Sequence, residues 1–223
     1  MLETSQPRTK RRRVRLGAGS RSADVGNSAP RAKLTRREEL LEIAAELFAA
    51  RGFASVTVDD IGAAAGVSGP ALYHHFDSKD SMLGEMIIDI CRHECEGGRA
   101  LRDASPPDRL LDDLIDLHVD LAVDHRALAT VYFRDFQHAS PADQRRARAL
   151  QHQYLDIWVE ALLAHNPDLS EAIARPAVQA ALSLINSTQY SPRVRRSDLV
   201  ALLRTMARAA LAAVAAPDAN SPA

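Results

Sequence analysis

Three groups of side chains in this 223-residue sequence have types and spacings that could do chemistry. The first is Cys91, His93 and Cys95. Thiolates and imidazoles are good metal ligands. On a helix, however, Cys91 and Cys95 share a face one turn apart while His93 points about 200° away. The trio does not converge on one ion, and His118 and His125 have no further ligand at a useful spacing. No metal is expected. The second group is the abundant Asp and Glu, which carry no paired-carboxylate motif and accompany neither a glycine-rich phosphate loop nor a nucleophile elbow. They read as solvated helix faces, so the sequence indicates no enzyme and no cofactor. The third group is the run Tyr73-His74-His75, a polar, hydrogen-bonding surface placed just after a glycine turn. Its chemistry is recognition of a surface rather than bond making.

The segment around that run, residues 58–79, reads VDDIGAAAGVSGPALYHHFDSK. Residues 59–65 form a first short helix with Ile61 and Ala65 on its inner side, and Gly66 stops it by entering the left-handed conformation at low cost. Val67 plugs the corner. Ser68 caps a second helix over 68–76, where Pro70 in the first turn removes no needed N–H. Leu72 and Phe76 read as core, and Ser78 caps the helix that follows. Helix, glycine turn and polar second helix are the parts of a helix-turn-helix whose second helix enters the major groove.

From 35 to about 86, the sequence resembles the DNA-binding domain of the TetR family of transcriptional repressors. The likeness runs without a gap through RREELLEIAAELFAARGFASVTVDDIGAAAGVSGPALYHHFDSKDSML. It implies a DNA-binding set made of Thr57, Ser68, Gly69, Pro70, Ala71, Tyr73, His74, His75 and Lys79. Gly69, Pro70 and Ala71 sit where base-edge contacts fall, Tyr73 and His75 where backbone or thymine methyls are touched, and Thr57 and Lys79 where phosphates are held. Gly69, Pro70 and Ala71 offer no side-chain hydrogen bonds. Direct readout is therefore thin, and backbone register and DNA shape must carry much of the specificity.

The resemblance also implies an all-α fold with a larger helical domain that binds an effector and dimerises. Candidate cavity residues are Met86, Ile90, Leu114, Leu121, Tyr132, Phe133, Phe136, Tyr154 and Trp158, an apolar set with tyrosine hydroxyls that suits a mainly hydrophobic effector with a polar end. Arg126 and Arg134 are open to either an anionic group or a solvated helix face. The style of LYHHFDSKDSML is similar to family members that govern lipid and acyl-coenzyme A catabolism. The last two helices carry apolar stripes at helical spacing, Val178, Leu182 and Ile185 on one and Leu199, Leu203 and Met206 on the other. In TetR-like proteins such a pair forms a four-helix bundle with a second subunit, so these six residues are the expected dimer interface.

Punctuation divides the chain. Residues 1–34 form a disordered basic arm, 35–80 the helix-turn-helix domain, 81–216 the ligand-binding and dimerisation domain and 217–223 a flexible tail. Ser105-Pro106-Pro107-Asp108 and Ser140-Pro141-Ala142-Asp143 each combine a cap, a proline and an acid, and are expected to open helices over 107–124 and 141–164. Others are expected at 126–137, at 169–186 and from Ser197 to 215, while Gly97-Gly98 should bend or fray the helix that begins at Lys79. The net charge of −1 conceals a +7 arm, nine Lys/Arg against Glu3 and Asp24, on a body of −8. A basic arm on an acidic body points to a polyanionic partner. No run of apolar residues is long enough to span a membrane, no secretory signal is seen, and two cysteines give no disulfide framework, so a cytoplasmic setting is expected.

The expected function is a homodimeric, ligand-responsive repressor on a palindromic double-stranded operator, with effector binding tilting the helix that begins at Lys79. The alternative is an architectural DNA binder that grips through the arm.

Overall fold

The computed structural model describes residues 35–190 and 194–215, so the basic arm and the tail lie outside the described residues. Every regular element among the described residues is helical. Helix α1 (Arg36–Arg51) opens with a closed capping box: the Glu38 N–H donates to Thr35 Oγ1, and the Thr35 N–H donates to the Glu38 carboxylate at 2.7 Å. Gly52, at φ 88°, ends it and a one-turn 3₁₀ segment follows at Phe53–Ser55. Thr57 and Asp60 repeat the box at the head of α2 (Val58–Ala65), which stops at left-handed Gly66. The turn closes because the Val67 N–H donates to the Gly62 carbonyl at 2.9 Å. A Cβ on Gly62 would stand 2.9 Å from the Val67 carbonyl oxygen, a backbone wall that cannot yield. Helix α3 (Gly69–Tyr73) is shorter than expected from sequence, because the N–H groups of His75 and Phe76 both turn back to the Leu72 carbonyl. Leu40, Ala44, Phe48, Ile61, Leu72 and Phe76 form the core of this unit.

Helix α4 (Lys79–Ala104) is the beam that joins the two halves. Its first turns, through Met82, Leu83, Met86, Ile87, Ile90 and Cys91, belong to the core of the helix-turn-helix unit, while Cys95 belongs to the core of the larger unit. The Gly97-Gly98 pair does not fray it; the helix continues to Ala104. These glycines permit close approach instead. A Cβ on Gly98 would lie 2.8 Å from Tyr154 Cε2, in the ring of a buried residue, whereas one on Gly97 would meet only the tip of Leu117. Gly98→Val is therefore expected to lower unfolding stability by roughly 2–3 kcal/mol through overpacking. Gly97→Ala, where a flexible leucine gives way and helix propensity improves, should change it by less than about 1 kcal/mol. Urea unfolding of the two variants checks the contrast.

Helix α5 (Leu110–Asp124) starts later than the Ser-Pro-Pro-Asp sequence suggests. A residue before proline is driven out of the helical region, and here Ser105 and Pro106 both precede one. Ser105 instead caps the end of α4 and donates its hydroxyl to the Asp113 carboxylate at 2.7 Å. Helix α6 (Arg126–Asp135) runs into a 3₁₀ turn, Phe136–His138. Ser140 caps α7 (Pro141–His165), accepting from the Asp143 N–H at 3.1 Å. Helix α8 (Glu171–Asn186) leads to α9 (Arg196–Ala215), in which Ser197 lies inside the helix rather than at its cap. Helices α5, α7, α8 and α9 enclose the second core around Trp158, Leu114, Ile115, Leu162 and Ile185.

The acidic residues of α5 are not simply solvated. Asp112, Asp116, Asp120 and Asp124 recur every fourth residue and meet arginines of α9. Arg208 reaches Asp112 at 2.6 Å and Asp116 at 3.0 Å, Arg204 bridges Asp116 and Asp120, and Arg196 holds Asp124 at 2.6 Å. Such half-exposed pairs contribute little singly. As an alternating ladder they fix the register of α9 along α5.

Candidate nucleic-acid interface and effector cavity

The helix-turn-helix surface has Tyr73 at its centre, 57 % exposed, with Ser68, Pro70, His74 and His75 also exposed and Gly69 and Ala71 half-buried. Ser68 caps α3 through its backbone carbonyl, and its side chain makes no capping hydrogen bond. Thr57 is exposed, yet its hydroxyl already donates to the Asp60 carboxylate at 2.6 Å. That bond and the Thr57 N–H hold Asp60 below the usual carboxylate range.

Charge is arranged differently from the sequence expectation. Residues 35–80 carry four Lys/Arg against eight Asp/Glu, a net of −4. All four cations are engaged within the chain. Arg36 bonds Glu39 and the Ala65 carbonyl, Arg37 pairs with Glu85 over the Phe76 ring, and Arg51 meets Asp60 at 3.4 Å. Lys79, expected to hold phosphate, donates to the carbonyls of Phe53 at 2.9 Å and Val56 at 2.8 Å while its ammonium sits over the Phe53 ring. It staples the head of α4 to the turn between α1 and α2, with one N–H left over.

Between α4, α5, α6, α7 and α8 lies a cavity of about 510 Å³. Of the nine residues expected to line it, Ile90, Tyr132, Phe133 and Tyr154 do. The other five do not. Met86, Leu114 and Trp158 are buried in the two cores, Phe136 packs on Tyr132 from the 3₁₀ turn, and Leu121 lies on α5 away from the wall. The reason is periodicity: an apolar residue on a packed helix fills core unless a neighbour leaves room, and the sequence does not show where room is left. The polar wall, with Glu94, His118, Gln151 and Asn186, was missed. A His and a Glu falling on the inward faces of adjacent helices were the available signal.

His118 is 2 % exposed, with Nδ1 3.6 Å from Glu94 Oε1 and 3.5 Å from the Tyr154 hydroxyl. Its Nε2 makes no well-formed hydrogen bond, although the Asn186 side chain interacts with the ring and raises its basicity against the effect of burial. Loss of hydration lowers His118 to about 4 and raises Glu94 to about 8, so both are uncharged at neutral pH. Burial likewise pushes the Cys91 thiol and the Tyr132 and Tyr154 hydroxyls upward. His93 is turned away, its Nδ1 bonded to the Asp89 carbonyl at 2.8 Å, and no group of His, Cys, Asp and Glu among the described residues could hold a metal ion.

The pair has a pH signature. From about pH 4.5 to 6.5 the unfolded chain ionises both groups and the folded chain neither, so their proton balances cancel. Above 6.5 only Glu94 differs: the unfolded chain has lost its proton, the folded chain keeps it until about pH 8, and stability falls as pH rises. The fall between pH 6.5 and 8 is expected to be roughly 1 kcal/mol, and Glu94→Gln should remove it. Urea midpoints at the two pH values check this.

Helix α6 links the cavity to the DNA-binding unit. Tyr132 and Phe133 line the cavity, and the next residue, Arg134, donates to the carbonyls of Phe48 and Ala49 in the last turn of α1. Asp135, 4 % exposed, receives the same guanidinium at 2.9 Å. Arg134, its side chain 41 % exposed, thus spends its guanidinium on α1 and Asp135 and does not line the cavity. His138 stacks on Phe53 beside Lys79, and α1 packs more extensively on α6 than on α4.

On the far side, the expected dimer residues divide. Val178, Ile185, Leu199 and Leu203 are buried in the chain's own core, and Leu182 lines the cavity. Those four stripe residues are packed inside the chain, where α8 and α9 lie against each other and against α7 and α5, while Leu182 is half-buried. Met206 is 44 % exposed, and Leu202 on the same helix is 53 % exposed, as is Ile173 on α8 at 50 %.

Residues 40–86 match the description "Bacterial regulatory proteins, tetR family", and residues 103–192 match "Tetracyclin repressor-like, C-terminal domain". The HTH-type transcriptional repressor KstR2 of Mycobacterium tuberculosis (strain ATCC 25618 / H37Rv) is 33 % identical over 147 residues, 64 % of this chain and 70 % of that protein. This chain belongs to the TetR family of transcriptional regulators. Within the family, KstR2 of Rhodococcus jostii (strain RHA1) is 58 % identical, over 55 residues that make up 25 % of this chain and 27 % of that protein. The structure of the ketosteroid transcriptional regulator KstR2 of Mycobacterium tuberculosis superposes with a TM-score of 0.70 at 24 % identity, covering 83 % of this chain and 98 % of that one. As in other TetR-family chains, the helix-turn-helix domain is joined to a larger helical domain, and no helix among the described residues is long and apolar enough to cross a membrane.

Proposed function

We propose that this TetR-family chain is a homodimeric repressor of a palindromic operator, released when a small, mainly apolar effector enters the 510 Å³ cavity. The observation that carries the reading is α6, which lines the cavity with Tyr132 and Phe133 and holds the end of α1 with the adjacent Arg134. An effector that displaces α6 displaces the DNA-binding unit with it. Release therefore runs through α6 as well as through a tilt of α4. The effector must favour the displaced arrangement; about 2–3 kcal/mol of coupling loosens DNA by some tenfold to a hundredfold. The repressor sense is supported by the KstR2 relative, a transcriptional repressor, and a lipid-like effector by the ketosteroid regulator KstR2.

In this reading Tyr73, His74 and His75 meet the groove, Ser68, Gly69, Pro70 and Ala71 bring the backbone close to it, and Thr57 and the last N–H of Lys79 reach phosphate. Dimerisation uses Leu202, Met206 and Ile173.

The engaged cations and the −4 charge of residues 35–80 favour one rival, an architectural binder that depends on its basic arm. Salt titration against a random duplex separates the two. The regulator should bind random DNA weakly at near-physiological salt, with or without residues 1–34. Tight random binding with a steep salt slope, lost on deleting 1–34, would establish the rival.

A further inference from the structure

The deep end of the cavity is polar yet holds no cation. Glu94, His118 and Tyr154, all largely or fully buried, form it, while the more exposed Phe133, His152 and Gln179 lie toward the mouth. Neither Lys nor Arg contributes to the wall. His118 stands at the centre. Its Nδ1 faces Glu94 and Tyr154, Trp158 packs edge-on against its ring at 6.1 Å, and its buried Nε2 makes no well-formed hydrogen bond, although the Asn186 side chain also interacts with the ring. A buried polar atom without a well-formed hydrogen bond is costly and rare in a folded protein, and here it belongs to a residue that lines a cavity large enough for a small molecule.

We propose that the cavity receives the uncharged oxygen end, a hydroxyl or ketone, of an otherwise apolar molecule, with His118 Nε2 as its hydrogen-bond partner, and disfavours the same molecule ending in a carboxylate or an ammonium. This deepens the reading of the cavity as the effector site and rests on it.

Either neutral tautomer of His118 serves, donating to a ketone or accepting from a hydroxyl. A carboxylate would leave water for a wall with no guanidinium or ammonium to compensate it, next to the Glu94 carboxyl group. An ammonium gains a counter-charge only by first displacing the proton that burial holds on Glu94 at neutral pH. Ile90, Leu155, Leu182 and Phe133 offer the apolar body its contacts. An effector bearing charged groups would have to keep them at the mouth.

The chain's single tryptophan, Trp158, reports from beside the site. Its fluorescence would be followed while the full chain is titrated at pH 7 with 1-decanol, 2-decanone, decanoate and decylammonium, each below its micellar concentration. The alcohol and ketone should bind at least about tenfold more tightly than either ion, and His118→Leu should weaken the alcohol and ketone at least about threefold without tightening either ion. If the variant does not fold, the ranking on the unaltered chain still decides. Decanoate or decylammonium binding as tightly as the alcohol overturns the polarity assignment and leaves the effector cavity standing. No response to any of the four, by fluorescence or calorimetry, overturns the effector cavity as well, while operator binding stays separately measurable.

Discussion

A chain carrying Leu202→Glu and Met206→Glu together is expected to fold as a monomer and to bind its operator at least about a hundredfold more weakly, because the second half-site no longer benefits from the first. Both side chains are about half exposed on α9 in the single chain, so the charges cost the monomer little. Two glutamates from each subunit would meet across a two-fold axis, where like charges and lost apolar contact both oppose association. Sedimentation and a mobility-shift titration would read the two effects separately. A variant that stays dimeric with operator affinity within about threefold of the parent would move the interface elsewhere. Glutamate at Val178 or Leu199 would be uninformative: both are buried in the chain's own core, and a charge there unfolds it.

The second large effect concerns the link from cavity to DNA. Arg134→Lys is expected to keep operator and effector binding and to reduce effector-driven release at least about fivefold. A lysine ammonium keeps the charge beside buried Asp135 but cannot reproduce the planar fork that holds the Phe48 and Ala49 carbonyls together. Arg134→Ala is a poorer probe, since it strands the buried Asp135 carboxylate and should cost about 1–3 kcal/mol of stability. Titrating operator affinity with and without saturating effector gives the coupling directly. Unchanged coupling in Arg134→Lys would return the transmission route to α4 and Lys79.

The two halves of the chain differ in how far their sequence discloses them. In the helix-turn-helix unit each turn is set by a local device, Thr35 with Glu38, Thr57 with Asp60, and left-handed Gly66, and local devices are legible. Leu72 and Phe76 pointed inward and Tyr73 outward for the same reason, a short amphipathic helix with one core face. The charge pattern was less legible. Nothing in the position of Lys79 foretells that two carbonyls from the Phe53 turn will reach it, because that contact spans 23 to 26 residues.

In the larger unit, periodicity located the helices but not their neighbours. Val178, Ile185, Leu199 and Leu203 form apolar stripes whether the partner is α5, α7 or a second subunit, and the structure assigns them to the chain's own core. Trp158 and Leu114 carried the same ambiguity between core and cavity. Gly98 looked like a helix breaker and proved to be a packing site, since a glycine's role depends on what stands opposite it, here the Tyr154 ring. The acids of α5 read from sequence as a solvated face, yet Asp112, Asp120 and Asp124 meet Arg208, Arg204 and Arg196 some 70 to 100 residues further along the chain.

The measurement that bears most directly on the regulator reading is sequencing of genomic fragments captured by the purified full-length chain at near-physiological salt. A sharp inverted repeat with half-sites about one DNA turn apart, beside a small number of operons, is the predicted result. Capture spread across fragments without a shared motif would contradict it and place the basic arm, rather than the recognition helix, in charge of binding.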